Sequence, residues 1–286
     1  MKNEEKEEIV EKRSYKKLII VILIIISVIS GLLLYMRFVS TTGLVVKEYG
    51  VNDKSIPSEF DGFKIVHFSD LHYNTTHGKK ELTKIVEKIN SLRADIVVFT
   101  GDLLDDRVDI TKKDKEDLSK LLNDIECKLF KYGISGNHDY LDDDIDEIFI
   151  NGGFKYLRNE FDDIYLDGMD PIRIYGFPSS IKDVPDYTVY EGDKDIYSIV
   201  LIHEPDSLDE IIDFNPDLVF AGHSHGGQVR VPFFGALYTP VGSKKYYDEY
   251  YKVKNTEMFI SSGIGTSRMK FRFMNKPSIN LYRIYK

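Results

Sequence analysis

Tryptophan is missing from all 286 residues, and cysteine occurs once, at Cys127. One cysteine excludes an internal disulfide, so no disulfide framework holds this chain and cysteine usage says nothing about compartment. Cys127 lies in NDIECKLF and reads as a core or near-core position, where a thiol is inert. With no tryptophan, bulky packing falls to 19 Tyr and 17 Phe; at 42% hydrophobic residues the chain can still bury one large domain or two small ones. No Ser-His-Asp pattern and no P-loop is present, so neither of those chemistries has its residues.

Positive charge is also short. The chain nets −9, and residues 1–37 hold seven Lys or Arg against five Glu, which leaves −11 on the remainder. An acidic folded part argues against a nucleic-acid-binding surface. It leaves an anionic substrate open, because bound metal ions hold such charge locally.

One run carries no charge at all. Leu18–Met36, LIIVILIIISVISGLLLYM, is 19 residues long. At about 1.5 Å per residue it reaches roughly 28 Å, close to the hydrocarbon core of a bilayer. It is apolar on every face, which suits a membrane span better than a buried soluble helix. A cleaved signal peptide fits poorly: the run is too long, five Glu precede it, and no A-x-A site follows. Lys2, Lys6, Lys12, Arg13, Lys16 and Lys17 precede the run, whereas only Arg37, Lys47 and Lys54 follow closely. This bias predicts a cytoplasmic tail at 1–17, a transmembrane helix at 18–36 and a folded domain at 44–286 outside the cytoplasm.

Within 44–286, short apolar runs alternate with amphipathic ones. FKIVHFSD and ADIVVFTGD read as strands; KKELTKIVEKINSL reads as a helix with Leu82, Ile85, Val86, Ile89 and Leu92 on one face. KKDKEDLSKLLNDIECKLF predicts a second helix, and DIDEIFINGG a short third one. The second half is richer in strand: FKYLRNEFDDIYLDG, IRIYGFP, DIYSIVLIHEP, DLVFAGHSHGG, EMFISSGIG and SINLYRIYK, with DSLDEIIDF its one helix. The pattern predicts an α/β fold, two mixed β-sheets in a sandwich flanked by helices.

The chemistry gathers where the apolar strands end. SDLH carries Asp70 and His72, TGDLL Asp102, SGNHDY Asn137, His138 and Asp139, LIHEP His203, and AGHSHGG His223 and His225. The carboxyl edge of an α/β sheet is where ligands bind. Carboxylate, amide oxygen and imidazole suit hard to borderline divalent metals. In an extended segment residues i and i+2 share a face, so Asp70 with His72, and His223 with His225, are expected to point together. Each motif alone is weak evidence of a site; five in one order, each after an apolar strand, are not. So many ligands suggest two ions about 3.5–4 Å apart that share a carboxylate. His67 reads as a core residue, His77 as part of a flexible loop, and the acidic runs DLLDDRVD and LDDDIDE as solvated faces.

The order D-x-H, G-D, G-N-H-D, H, G-H-x-H resembles the signature of the calcineurin-like metallophosphoesterases, over roughly Phe63 to Val229. GHSHGGQVRVPFFGALYTP and SSGIGTSRMKFRF are similar to its membrane-anchored branch, that of the bacterial YkuE and YaeI phosphoesterases. Pro277-Ser278 departs from the Pro-Glu usual there. The resemblance implies that Asp70, His72 and His225 hold one metal, that Asn137, His203 and His223 hold the other, and that Asp102 bridges them. It implies that His138 serves the leaving group, with Asp139 orienting it. The implied cofactors are two divalent ions, manganese first, with iron or zinc as alternatives. The function so read is hydrolysis of a phosphodiester or pyrophosphate by a metal-bridging hydroxide, on a substrate that can be lipid- or envelope-linked. A UDP-2,3-diacylglucosamine-type lipid pyrophosphatase is one alternative, which an outward-facing domain disfavours because a UDP-linked substrate is cytoplasmic. A non-catalytic metal-binding scaffold on the same fold is the other, which the intact ligand set disfavours.

Overall fold

The computed structural model describes residues 2–141, 145–190 and 196–286. Part of the acidic run LDDDIDE, at 142–144, and the first residue of the run at 195–205 lie outside them, as do the tail side chains at 2–4 and 6–12. A long helix, α1 (Lys2–Leu34), passes through a π-helical turn at Tyr35–Val39 into β1 (Val45–Asn52). Then follow β2 (Phe63–Phe68), α2 (Lys79–Ser91), β3 (Ile96–Thr100), α3 (Lys112–Asn123), β4 (Lys131–Ile134), α4 (Ile145–Asn151) and β5 (Phe154–Tyr156). The second half holds β6 (Glu160–Ile164), β7 (Ile172–Gly176), β8 (Tyr197–Leu201), α5 (Leu208–Ile211) and β9 (Leu218–Ala221). It closes with β10 (Arg230–Val231), β11 (Gly235–Ala236), β12 (Tyr250–Val253), β13 (Thr256–Ile260) and β14 (Ser278–Tyr285).

Strand alternation decides how these stack. In β3, Ile96 and Val98 face one layer and Val97 and Phe99 the other. The first pair meets Ile174, Ile199, Leu218 and Phe220 of the facing sheet, forming the central core. The second pair packs under Leu82, Ile85 and Ile89 of α2, Leu118 and Leu122 of α3, and Phe149 of α4. The opposite face of the second sheet, through Val200, Val219 and Ile260, packs on Leu208 and Ile211 of α5. Each fully buried aliphatic side chain contributes about 1.5–3 kcal/mol. Thr111 caps α3, its hydroxyl accepting from the Asp114 N–H while the Asp114 carboxylate accepts from the Thr111 N–H.

One sheet runs β1-β14-β2-β3-β4-β5 and the other β12-β13-β9-β8-β7-β6. Strands β2 to β5 are parallel, as are β7, β8, β9 and β13. The α/β sandwich therefore stands as the sequence predicts, with differences in detail. FKYLRNEFDDIYLDG is two strands: β5 closes the first sheet and β6 edges the second, with Asn159 at φ 58° in the turn between them. Helix α3 ends at Asn123, so Cys127 lies half-buried in the turn beyond it. DSLDEIIDF supplies only one α-helical turn flanked by 3-10 turns.

Candidate metal centre

Five parallel strands, β2, β3, β4, β8 and β9, end at one edge, and the loops that follow carry every predicted ligand. The expected extended i, i+2 geometry is not how the pairs converge. Asp70, His72, Asp102, His223 and His225 all lie in the left-handed region, at φ 50°, 44°, 59°, 64° and 49°. An L-residue held there costs roughly 1–2 kcal/mol, so the surrounding packing must impose it. Close backbone approach helps: a Cβ on Gly101 would come within 2.5 Å of Gly136 N and 2.6 Å of the His203 ring. Only glycine lets the β3 and β4 loops touch.

The candidate ligands form two clusters with one carboxylate between them. In the first, His225 Nε2 lies 3.4 Å from Asp70 Oδ1 and 3.1 Å from His72 Nε2. Two ligands about 2.1 Å from one ion and at right angles to each other stand about 3 Å apart, so this spacing fits joint coordination. In the second, His203 and His223 meet edge to face at 5.0 Å between ring centres, and Asp102 joins them. Asp102 Oδ2 is 3.2 Å from His203 Nε2 and 3.6 Å from His72 Nε2, so one oxygen faces both clusters.

Outer contacts settle which imidazole nitrogen faces inward. His203 Nδ1–H donates to Thr100 O at 2.6 Å, and His223 Nε2–H donates to Val241 O at 2.6 Å. The Asp105 carboxylate stands 3.1 Å from His72 Nδ1. The lone pairs of His203 Nε2, His223 Nδ1 and His72 Nε2 are thereby turned to the site. His203 Nε2 and Asn137 Oδ1 are buried without a hydrogen-bond partner. Buried polar atoms left open in this way, all nitrogen or oxygen, fit divalent cations.

Burial alone would push Asp102 up, but His203, His72 and His138 beside it hold its carboxyl well below the usual range. His225 is pushed well below the usual imidazole range by burial, then by His72 and Arg272, which keeps its ring neutral. Burial drives Asp139 up to about 7, with Asp102 adding to it.

Asp139 does not orient His138. Its carboxylate accepts the backbone N–H groups of Asp102, Gly136 and Leu104 at 2.8, 2.8 and 2.9 Å, tying the β3 and β4 loops together. The partner of His138 Nδ1 is Asp106 Oδ1, at 2.6 Å. Asp105 is 1% exposed, so DLLDDRVD is not a solvated face at its centre. The signal for both residues was an acidic pair directly downstream of Gly101-Asp102. The buried Arg272 was also missed. Its guanidinium donates to the carbonyls of Ser262, Gly263 and Gly265 and stands 3.4 Å from His225 Nδ1. His67 is a core residue as expected, its Nε2 2.8 Å from Thr100 Oγ1. His77 is 8% exposed and packed rather than loose.

Residues 63–227 match the Calcineurin-like phosphoesterase family, and the chain belongs to it. It is therefore a metal-dependent hydrolase of phosphoester bonds. It is 31% identical over 255 residues to "Uncharacterized metallophosphoesterase YkuE" of Bacillus subtilis (strain 168), covering 87% of this chain and 88% of that one. It is 26% identical over 248 residues to "Transmembrane protein with metallophosphoesterase domain" of Danio rerio, covering 79% of this chain and 54% of that protein. Among solved structures, the Haemophilus influenzae NAD nucleotidase aligns at 13% identity and a TM-score of 0.47, covering 71% of this chain and 45% of that one.

Proposed function

We propose that this chain is a membrane-anchored phosphodiesterase or pyrophosphatase with a dinuclear site. Asp70, His72 and His225 would hold one divalent ion, Asn137, His203 and His223 the other, and Asp102 both. The observation that carries this reading is the single Asp102 oxygen facing both ligand clusters. Two such ions, when bound, supply an acidified water as nucleophile and neutralise charge on the phosphate oxygens. His138, half-buried at the mouth of the site, donates a proton to the departing oxygen. Asp106 holds the ring by Nδ1, which leaves Nε2 to face substrate. Asp139 keeps the two loops in register. The apolar helix within Arg13–Val39, most of whose side chains are exposed, is the anchor, and the charge bias supports a catalytic domain outside the cytoplasm.

The test is the full chain, purified in detergent, loaded with manganese, iron or zinc and offered monoesters, diesters and nucleotide-linked lipids. Two metal equivalents per chain and turnover of a diester or pyrophosphate support the reading. One equivalent, or metal binding without turnover of any ester, sinks it. Protease accessibility in intact cells tests the topology, and complete protection of the domain would reverse the assigned orientation.

A further inference from the structure

Beside the metal centre, the β10–β11 hairpin presents an apolar surface that the hydrolytic site does not use. Its turn, Val231-Pro232-Phe233-Phe234, is closed by the Phe234 N–H donating to Val231 O at 3.2 Å. Proline takes the second position and Phe233 the third, at φ 69°. That third position is where glycine normally sits, because a Cβ is disfavoured at positive φ. Phenylalanine here brings backbone strain and no burial: Phe233 is 105% exposed and Phe234 83%. Leu237, Tyr238 and Val241 continue the exposed surface. Scattered exposed apolar residues are ordinary, but a contiguous group on a strained tip marks an interaction site.

Position and charge say what covers it. The Arg230 N–H at the base of the hairpin donates to Phe273 O at 3.0 Å. The Phe273 ring meets Tyr35 edge-on at 6.5 Å, and the Arg272 N–H donates to Met36 O at 3.1 Å. The hairpin is thus tied, through one short segment, to the place where the apolar helix ends. Although the domain is acidic, this patch is bracketed by cations, with Arg268 Cζ 5.2 Å and Lys244 Nζ 5.1 Å from the Tyr238 ring. Exposed Lys270 and Lys276 lie on the same segment. Apolar and aromatic side chains flanked by Lys and Arg, next to the end of a span, have the composition of an interfacial anchor.

We propose that the hairpin docks on the lipid bilayer, with Phe233 and Phe234 immersed below the headgroups and Arg268 and Lys244 at anionic phosphates. The same segment runs from Tyr238 to Val241, whose carbonyl holds the His223 ring at 2.6 Å. Docking therefore holds the mouth of the metal centre at headgroup depth and selects amphiphilic phosphoesters whose phosphate lies there. Docking rests on reading α1 as a span; this substrate class rests in addition on the phosphoesterase reading.

The absence of tryptophan gives a clean probe. Full-length Phe233→Trp and Met169→Trp are each reconstituted in phosphatidylcholine–phosphatidylglycerol vesicles containing acyl-chain dibrominated lipid. Met169 is 91% exposed and precedes β7, at the strand edge opposite the site. Phe233→Trp should emit to the blue of Met169→Trp and be quenched several-fold by the bromines. Emission equal to that of Met169→Trp overturns docking. A blue shift that resists bromine and grows with protein-to-lipid ratio would mean a second copy covers the tip, which also overturns it. In the second arm, Phe233→Asp/Phe234→Asp should cut turnover of a vesicle-embedded long-chain phosphodiester by at least about tenfold, the loss expected from one unburied phenyl group. Hydrolysis of a soluble p-nitrophenyl ester should be unchanged, and equal losses on both substrates overturn the link to the site. If the phosphoesterase reading fails, the parent turns over neither substrate while the quenching persists.

Discussion

Between the sheets, Ile65, Val98, Ile199 and Leu218 are fully buried, apolar and in strand conformation. A few residues further along, past the ends of the same strands, Asp70, Asp102 and His203 are as deeply buried and ionisable. Asp70 and Asp102 are also in the left-handed region. The interior stabilises the fold by removing apolar surface from water. The cradle does the reverse, since the desolvated Asp70 carboxyl, raised by burial, and the strained backbone cost free energy until cations arrive. Stability and metal affinity should therefore be separable by mutation, one on each side of the strand ends.

Mutation of the cradle should be the most damaging. Asp102→Ala removes the oxygen common to both clusters, so metal content and turnover should vanish together, turnover by more than about 10⁴-fold. Its metal-free melting temperature should stay near that of the metal-free parent. A large drop there would mean the cradle also holds the fold. Phe220→Ala is the mirror case. Its ring packs against Tyr282 and His67 at 4.6 and 5.0 Å in the central core. The loss should be about 3–5 kcal/mol by denaturant titration. Metal content per folded molecule should not change, and a parallel fall in metal affinity would break the separation.

His138→Ala separates proton donation from metal binding. Both metals should stay bound while turnover falls by about 10²–10⁴. The loss should be smaller for p-nitrophenyl esters, whose leaving group needs little protonation. Metal loss matching that of Asp102→Ala would make His138 a ligand. Asp106→Asn should cost less, roughly 10–100-fold in turnover, because it acts only through the His138 ring. Asp106→Glu should restore part of the rate, and the loss should shrink for p-nitrophenyl esters as it does for His138→Ala; an equal loss on good and poor leaving groups would make Asp106 merely structural.

The smallest effect concerns the one histidine inside the core. Burial lowers His67 from 6.5 to about 3. Its folded value lies below its unfolded one, so its contribution is complete above pH 6.5 and is lost as pH falls from 6.5 toward 3. The maximal slope is about 1.4 kcal/mol per pH unit. His67→Phe should be less acid-sensitive than the parent across that window, as followed by denaturant midpoints at each pH. Identical acid sensitivity would show that His67 is not protonated on unfolding there.

Periodicity placed most strands of both sheets, because a buried strand needs side chains of one character whatever its neighbours. The motifs picked out the candidate ligands that the structure brings together, because glycine, aspartate and histidine at strand ends have few other uses in such number. Less was legible where one residue answers another far along the chain. FKYLRNEFDDIYLDG read as continuous, yet Asn159 turns it from one sheet into the other. Asp105 and Asp106 read as solvated, because an acidic run looks the same whether or not a histidine waits opposite. Asp139 adjoins His138 in sequence, but backbone N–H groups of two loops claim its carboxylate.

What the sequence determined alone was therefore local in origin: an apolar helix long enough to span, alternating strands, and ligand types at their ends. Tertiary structure decided the rest. β14, the last strand, pairs with β1 on one side and β2 on the other, so the two ends of the folded domain close one sheet. His223 and His225, two residues apart, turn to different clusters because each sits in a left-handed turn that reverses the chain between them. No residue specifies these choices by its own preference. Each arises from hydrogen bonds and packing between segments more than a hundred residues apart, such as the Asp70 carboxylate accepting the His223 N–H at 3.0 Å.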